Sequence, residues 1–171
     1  VQDEDGGWRM TTACDAQVRD GLAVRTESET VRQARAAALQ FQLLRHPLEC
    51  PSCDKSGECE LQDFSFTYSG QGPHVLPQAN TGEIRDLGDH VAIDPSKCIH
   101  CTRCVRFCAE VTGTEELSMF DRGDRLEVST FPGSRLDNRM SGNVVDLCPA
   151  GALIDRQFRL QPAWRLRGVD S

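Results

Sequence analysis

Residues 98–104, CIHCTRC, and residues 148–153, CPAGAL, form the pattern that decides the fold of this chain. Three cysteines stand at i, i+3 and i+6 of the first stretch, and a fourth, far along the chain, is followed at once by proline. A loop of this kind wraps around one cube of iron and sulfide. Zinc is more often bound by two separated pairs of cysteines. The pattern therefore predicts a [4Fe-4S] site with four ligands: Cys98, Cys101, Cys104 and Cys148.

A second cysteine motif occupies residues 46–59, HPLECPSCDKSGEC. Its three cysteines, Cys50, Cys53 and Cys59, leave one corner of a cubane cluster open, and His46 lies one short loop before them. An imidazole on the same loop can fill that corner, which predicts a second [4Fe-4S] site. Zinc bound by three cysteines and one histidine is the rival on residue types alone. The other histidines are interpreted as surface or packing residues: His74, His90 and His100.

Cys108 would extend the first run to C-x2-C-x2-C-x3-C. In a two-cluster protein of this type, the last cysteine of each run binds the other cluster. A second run of three cysteines is missing before Cys148, so Cys108 has no second cluster to serve in this region. We expect it to be a buried, inert thiol packed near Phe107.

Composition excludes several other classes of protein. The chain has 171 residues, of which 39% are hydrophobic, and no apolar run approaches the length of a membrane span. A net charge of -7 argues against a nucleic-acid partner. An odd number of cysteines, nine, and an acidic start without a signal peptide argue against a secreted disulfide framework, which indicates a reducing compartment. Because the sequence begins with Val1, we expect a processed chain or a piece of a longer one.

The predicted fold is small, loop-rich and α+β. A capping box at Thr26 or Ser28, followed by apolar residues at helical spacing (Val31, Ala34, Ala38, Phe41), predicts a helix from about Ser28 to Leu44. Local patterns predict six further features: extended stretches at 11–14 and 21–24, a strand at 90–93, short helices at 102–111 and 143–147, and a hairpin pairing 117–120 with 125–129. Residues 46–97 are predicted to be mostly loop. So much loop suggests that bound metal, rather than a large apolar core, organises the fold.

These motifs carry a resemblance to a known family. Residues 46–63, HPLECPSCDKSGECELQD, resemble the cluster loop of the large iron–sulfur subunit of NADH–quinone oxidoreductase, respiratory complex I. The stretches CIHCTRCVRFC, FDRGDRLEV and SGNVVDLCPAGAL, with Trp164, are similar to the next cluster domain of that subunit. The stretch ACDAQVRDGLAVRTES resembles the end of its plant-ferredoxin-like domain. The resemblance covers almost the whole chain.

The resemblance implies three regions and two complete ligand sets. Residues 1–27 would be the C-terminal remnant of a [2Fe-2S] plant-ferredoxin-like domain, residues 28–75 a helix with a [4Fe-4S] loop of one histidine and three cysteines, and residues 76–171 a ferredoxin-like [4Fe-4S] domain. It implies that His46, Cys50, Cys53 and Cys59 hold one cluster and that Cys98, Cys101, Cys104 and Cys148 hold the other. Cys14 would correspond to the last ligand of a [2Fe-2S] cluster whose other cysteines, like the molybdopterin-enzyme-like region of the family, lie outside this sequence. The chain is therefore expected to be an internal fragment or a naturally short version.

The resemblance also implies a function. The chain would relay single electrons from a flavin subunit towards quinone, as a component of a proton-pumping NADH:quinone oxidoreductase (a translocase) of the respiratory chain, with no substrate turnover of its own. Its partners would be the flavin/NADH-binding subunit and the quinone-side iron–sulfur subunits. It would lie as a peripheral subunit on the cytoplasmic face of the inner (plasma) membrane, or on the mitochondrial matrix side in a eukaryote. The sequence contains neither a Ser–His–Asp set nor GxGxxG, so we expect it to bind neither NADH nor flavin itself.

Two alternatives remain at this point. One is the iron–sulfur or diaphorase module of an NAD-linked hydrogenase or formate dehydrogenase, which shares the loop of one histidine and three cysteines. Those relatives commonly carry a second C-x2-C-x2-C run before the final Cys-Pro, and this sequence does not. The other alternative is a zinc-stabilised interaction module without a redox role.

Overall fold

The computed structural model describes residues 1–3, 5–69 and 82–159, and within them the helices and strands are short. The α-helices are α1 Glu29–Leu43, α2 Glu60–Phe64, α3 Arg103–Arg106 and α4 Asn143–Leu147. The strands are β1 Arg85–Asp86, β2 Val91–Ile93, β3 Ser118–Phe120, β4 Glu127–Ser129 and β5 Leu153–Asp155. Short 3-10 turns lie at Cys50–Ser52, Pro95–Lys97 and Gly123–Arg125, and π-helical turns at Ser65–Ser69 and Phe107–Val111. The fold is therefore small and α+β, as predicted. None of the helices in these ranges is long and apolar enough to cross a membrane.

The strands form two small antiparallel sheets. One has three strands in the order β1-β2-β5, and the other is the hairpin β3-β4. In the first sheet Ile93, at the end of β2, pairs with Leu153, at the start of β5. Because the two strands run in opposite directions, the loop that leaves β2 and the segment that enters β5 lie at the same end of the sheet. That pairing brings the Cys98 loop and Cys148 together.

Two clusters of buried residues hold the elements together. The larger one joins the sheet, the hairpin and α4: Leu87, Val91, Ile93, Cys108, Leu117, Val128, Leu136, Val144 and Leu153. The half-buried thiols of Cys98, Cys104 and Cys148 pack against its edge. The smaller cluster joins α1, α2 and the segment after Cys148, through Leu43, Leu61 and Ala150, with Leu39, Cys59 and Ile99 beside them. Both predicted ligand sets therefore contact a packed core.

The long helix begins where the capping signal predicted. The Ser28 hydroxyl accepts a hydrogen bond from the backbone N–H of Val31 at 3.4 Å, which caps α1. The apolar spacing that predicted the helix does not mark its packing face, since Phe41 is 71% exposed. Leu39 and Leu43 face the smaller core instead. Arg35 extends over the Tyr68 ring, in the turn that α1 packs against.

Most of the other predicted elements are confirmed, with small shifts in their ends. The hairpin, the strand at 91–93, the helical segment that begins near 102 and the turn at 143–147 are all present. Neither of the two extended stretches before α1 forms a regular strand. Residues 11–14 run into a turn, and an isolated bridge joins Gln2 and Trp8. In the second stretch the Ala23 carbonyl accepts a backbone hydrogen bond from Gln2 at 3.0 Å. Among the α-helices and strands, three were not predicted, namely α2, β1 and β5. His74 and Trp164 lie outside the described residues.

Candidate functional site

The three cysteines of residues 98–104 and the remote Cys148 surround one recess, which we call site B. Cys98, Cys101, Cys104 and Cys148 line this recess, together with apolar side chains that include Ile93, Val128 and Leu153. The thiols of Cys98 and Cys104 interact electrostatically with each other and with those of Cys101 and Cys148. Sequence spacing alone predicted this set, and the structure brings all four residues together.

The backbone of the site B loop turns sharply between its cysteines. His100 and Thr102 both have positive φ angles, 54° and 61°. Non-glycine residues adopt this left-handed conformation at a cost of about 1–2 kcal/mol, and such strain concentrates at binding sites. The turn directs the backbone N–H of His100 at the Cys98 thiol, where it forms a hydrogen bond. Amides that face cysteine sulfur in this way stabilise thiolate ligands.

Burial makes free thiols at site B hard to ionise. It raises the pKa of Cys104 to about 12 and that of Cys98 to about 11, and the neighbouring thiols add to both shifts. The Cys148 thiol correspondingly donates a hydrogen bond to the Ala150 carbonyl at 2.8 Å. Four thiolates in this recess would repel one another without a positive partner. The donor set therefore suits a group that carries positive iron into the recess.

The second predicted set, which we call site A, consists of His46, Cys50, Cys53 and Cys59. The Cys59 thiol interacts electrostatically with those of Cys50 and Cys53. Cys59 also caps α2, because its sulfur accepts a hydrogen bond from the Gln62 N–H at 3.4 Å. The backbone of Lys55 bonds the Cys53 sulfur. Burial raises the pKa of both thiols, and these amides offset part of the shift.

The His46 ring carries the sign of a missing partner. Its Nδ1 atom is buried and is the one side-chain N or O atom among the described residues that is buried without a hydrogen-bond partner. The ring also has a hydrogen bond with the Lys97 backbone, and burial lowers its pKa, which favours the neutral ring. Histidines that bind metals use one ring nitrogen as ligand and donate the other ring N–H, often to a backbone carbonyl. The ring of His46 fits an iron ligand on these grounds.

Sites A and B share a wall, formed by the residues that follow Cys148. The Cys59 thiol donates a hydrogen bond to the Pro149 carbonyl at 3.5 Å, and the Leu61 N–H does the same at 3.5 Å. Gly151 lies so close to site A that a Cβ atom on it would stand 2.3 Å from the Cys53 sulfur. We did not predict this wall from the sequence. Its available signal was the glycine in the segment CPAGAL, at a place where backbone approaches another group closely.

Two cysteines lie apart from the two sites. Cys108 is 0% exposed and belongs to the larger core, where its thiol interacts electrostatically with Glu116. Cys14 is exposed, with its sulfur 3.2 Å from the Thr12 hydroxyl. None of the nine cysteines forms a disulfide. Within the described ranges, no three His, Cys, Asp or Glu side chains are grouped closely enough to hold one metal ion.

Two family models match parts of the chain that contain these sites. One, described as the NADH-ubiquinone oxidoreductase-G iron-sulfur binding region, matches residues 35–72, which include site A. The other, described as the ferredoxin-like domain of NADH-quinone oxidoreductase subunit 3, matches residues 88–154, which include site B.

Curated relatives resemble the chain over nearly its whole length. It is 39% identical over 167 residues to the mitochondrial NADH-ubiquinone oxidoreductase 78 kDa subunit of Neurospora crassa, covering 95% of this chain and 22% of the relative. It is 38% identical to the NADH-ubiquinone oxidoreductase 75 kDa subunit of Reclinomonas americana (95% and 24%). It is 36% identical to the mitochondrial NADH dehydrogenase [ubiquinone] iron-sulfur protein 1 of Solanum tuberosum (95% and 22%). The chain thus spans less than a quarter of the length of these relatives.

A solved structure shares the fold. In a crystal structure of an NAD+-reducing [NiFe]-hydrogenase in the H2-reduced state, one chain matches with a TM-score of 0.79 and 27% identity, over 90% of this chain and 67% of that one.

Proposed function

Because the chain belongs to the family of iron–sulfur subunits of NADH–quinone oxidoreductases, we propose that it relays single electrons within such a complex. The observation that supports this most directly is the 3.5 Å approach of the Cys59 sulfur, in site A, to the carbonyl oxygen of Pro149, the residue next to Cys148 of site B. This contact puts two cysteine-rich sites side by side. A relay requires such adjacency, whereas an isolated structural metal site does not.

The proposed ligands follow the two sites. At site A, His46, Cys50, Cys53 and Cys59 hold one [4Fe-4S] cluster; at site B, Cys98, Cys101, Cys104 and Cys148 hold another. The free Nδ1 of His46 and the thiol-lined recess of site B support this assignment. When bound, such clusters accept and release one electron at a time with little rearrangement.

The residues of the chain contribute ligation, hydrogen bonding and shielding from water. Backbone amides of Lys55, Leu61 and Gln62 bond the sulfurs of site A, and that of His100 bonds Cys98 at site B. Such bonds favour negative charge on sulfur and so influence the ease of reduction. Buried apolar neighbours reduce the access of water to both sites.

The proposed partners are other subunits of the same complex: the flavin/NADH-binding subunit on one side and the quinone-side iron–sulfur subunits on the other. Exposed aromatic side chains at Phe41, Phe66 and Phe131 offer apolar contact surface for such subunits. The proposed location is peripheral, on the cytoplasmic face of a bacterial inner membrane or on the matrix side in mitochondria. In this proposal residues 1–27, 28–75 and 76–171 form three regions, and Cys14 binds a [2Fe-2S] cluster in a longer chain.

A second candidate is the iron–sulfur module of an NAD-linked hydrogenase. The fold shared with the NAD+-reducing [NiFe]-hydrogenase favours it. The respiratory assignment is better supported, since its relatives are 36–39% identical, against 27% for the hydrogenase chain. Co-purification with membrane subunits, or with a hydrogenase large subunit, distinguishes the two.

Anaerobic purification with iron and sulfide analysis tests the proposal. We expect about eight irons and about eight sulfides per chain, a brown colour that dithionite bleaches, and two distinct EPR signals on reduction. A colourless chain with stoichiometric zinc would instead identify an interaction module.

A further inference from the structure

A lysine with a largely buried side chain lies close to site A, and neither predicted ligand set includes it. The side chain of Lys97 is 13% exposed, and its Nζ atom lies 3.1 Å from Oδ2 of Asp94, whose side chain is 8% exposed. The other oxygen of Asp94 accepts hydrogen bonds from the backbone and the hydroxyl of Ser96. Asp94 also begins the 3-10 turn that carries Lys97. The ion pair is therefore held in place by a local turn, out of bulk water.

Lys97 faces site A, although it precedes Cys98 of site B in the chain. A Cβ built on Gly151 would lie 2.3 Å from the Cys53 sulfur and 3.7 Å from Cδ of Lys97, so this sulfur and Cδ lie within about 6 Å of each other. The ammonium interacts electrostatically with the Cys53 thiol, and the Lys97 backbone bonds the His46 ring. The thiols of site B interact chiefly with one another.

A fixed charge at this place acts differently on the two redox states. One-electron reduction at site A adds a negative charge there and breaks no bond of Lys97 or Asp94. A cation nearby stabilises the added electron, and an anion opposes it. Because the pair is mostly shielded from water, solvent and salt screen these interactions less than they screen surface charges.

We propose that the Lys97–Asp94 ion pair sets the reduction potential of site A, with the ammonium favouring its reduced form and the carboxylate its oxidised form. This inference rests on the proposed function, since it presumes an iron–sulfur cluster at site A. It adds two residues outside the ligand sets whose charges determine how readily electrons enter the relay there.

The test is an EPR-monitored redox titration of the anaerobically purified, cluster-loaded protein, with iron analysis of every variant. Lys97→Met keeps the length of the side chain and removes its charge. It should lower the equilibrium constant for reduction of site A about tenfold, which is a fall of about 59 mV in the reduction potential. Lys97→Arg, which keeps the positive charge, should leave the potential of site A at the parent value. Asp94→Asn should shift the potential upwards. The reduction potential of site B should shift less than that of site A in every variant.

Arg32→Gln is the charge-matched control. It removes one cation from the exposed face of α1, where Arg32 pairs with Glu27. Because the solvent screens that charge, the potential of site A should stay at the parent value.

Opposite shifts in Lys97→Met and Asp94→Asn establish the inference, since a merely structural role would move both in the same direction. An unchanged potential in Lys97→Met with site A fully loaded overturns it. If Lys97→Met loses iron from site A, the result for Asp94→Asn is used instead. A higher reduction potential of site A in that variant supports the inference, and an unchanged or lower potential refutes it. A parent protein without a signal from site A would contradict the proposed function instead.

Discussion

The assignment of His46 to site A is supported mainly by one buried atom that lacks a hydrogen-bond partner. Leaving a buried polar group without a hydrogen bond costs about 1–3 kcal/mol, and Nδ1 of His46 stands in that condition. An iron ion at that position would remove the cost and keep the ring neutral, which is the form that burial already favours. The assignment of the fourth ligand can therefore be tested by substituting this one residue.

Replacing the histidine tests its role directly. His46→Ala opens one corner of the cubane and should yield a labile three-iron form at site A, while site B keeps its four irons. His46→Cys should restore four irons and lower the potential, because a thiolate adds negative charge. Iron analysis and EPR measure both outcomes, and pulsed EPR of the parent should show coupling to a ring nitrogen. About eight irons and an unaltered spectrum in His46→Ala would make His46 structural and direct the search to Asp54 or Asp63.

Cys108 provides the opposite case, a cysteine that we expect to bind no iron. It is fully buried in the larger core and does not line the recess of site B. Cys108→Ala should therefore leave the iron content unchanged and lower the free energy of unfolding by about 1 kcal/mol, through lost packing. Iron analysis and thermal unfolding check this, and the loss of about four irons would show that the residue is a ligand after all.

At the scale of elements, the segment from Cys148 to β5 does two tasks. It supplies Cys148, a proposed ligand of site B, and its next residues, Pro149 and Gly151, close site A. The pairing of β5 with β2 fixes this segment, because Leu153 lies opposite Ile93. The approach of Gly151 to Cys53 leaves no room for a side chain.

Gly151→Ala should therefore disturb site A rather than site B. The added methyl group would meet the Cys53 sulfur, and overpacking of this kind costs about 1–3 kcal/mol. We expect reduced iron occupancy at site A and a lower melting temperature, measured by EPR quantification and calorimetry. Gly142→Ala is the matched control, since a Cβ there meets nothing within 4 Å and its φ is -58°. Equal effects of the two substitutions would refute the close approach.

Local signals account for the elements that the sequence predicted. The hairpin β3-β4, the cap of α1 at Ser28 and the turn α4 each depend on neighbouring residues, and each was predicted. The strand β5 was missed because its partner, β2, lies far away in the sequence and its three residues carry no alternation of their own. The packing face of α1 could not be predicted for the same reason, since Leu61 and Ala150, which cover it, come from distant segments.

At the scale of the whole molecule, the two cores are small and the loops between them carry the ligands. The larger core has nine buried residues and the smaller three. The spacing of residues within two short loops predicted most members of the two proposed ligand sets, and the Cys-Pro pair at 148–149 predicted the remaining one, Cys148. Lys97 and Gly151 were not predicted as parts of site A, since their roles arise from contact between loops remote in sequence.

The iron count of the chain tests the assignment as a whole. One thiolate cannot hold a [2Fe-2S] cluster, which needs four ligands. Reconstitution should give about eight irons in two cubanes without a [2Fe-2S] spectrum, and Cys14→Ser should leave that count unchanged. A stoichiometric two-iron centre, lost in Cys14→Ser, would mean that the exposed Cys14 recruits ligands from elsewhere.

Because Pro149 and Gly151 form a wall between the two sites, site A cannot be moved to another protein without part of the second cysteine motif. Residues 35–72 look like a portable module, since a family model covers them by themselves. A graft of that stretch into another protein would carry all four donor side chains of site A, yet it would leave behind the carbonyl and the glycine that complete the site. Transplantation, duplication or exchange should therefore succeed only when both cysteine motifs travel together, as one indivisible unit.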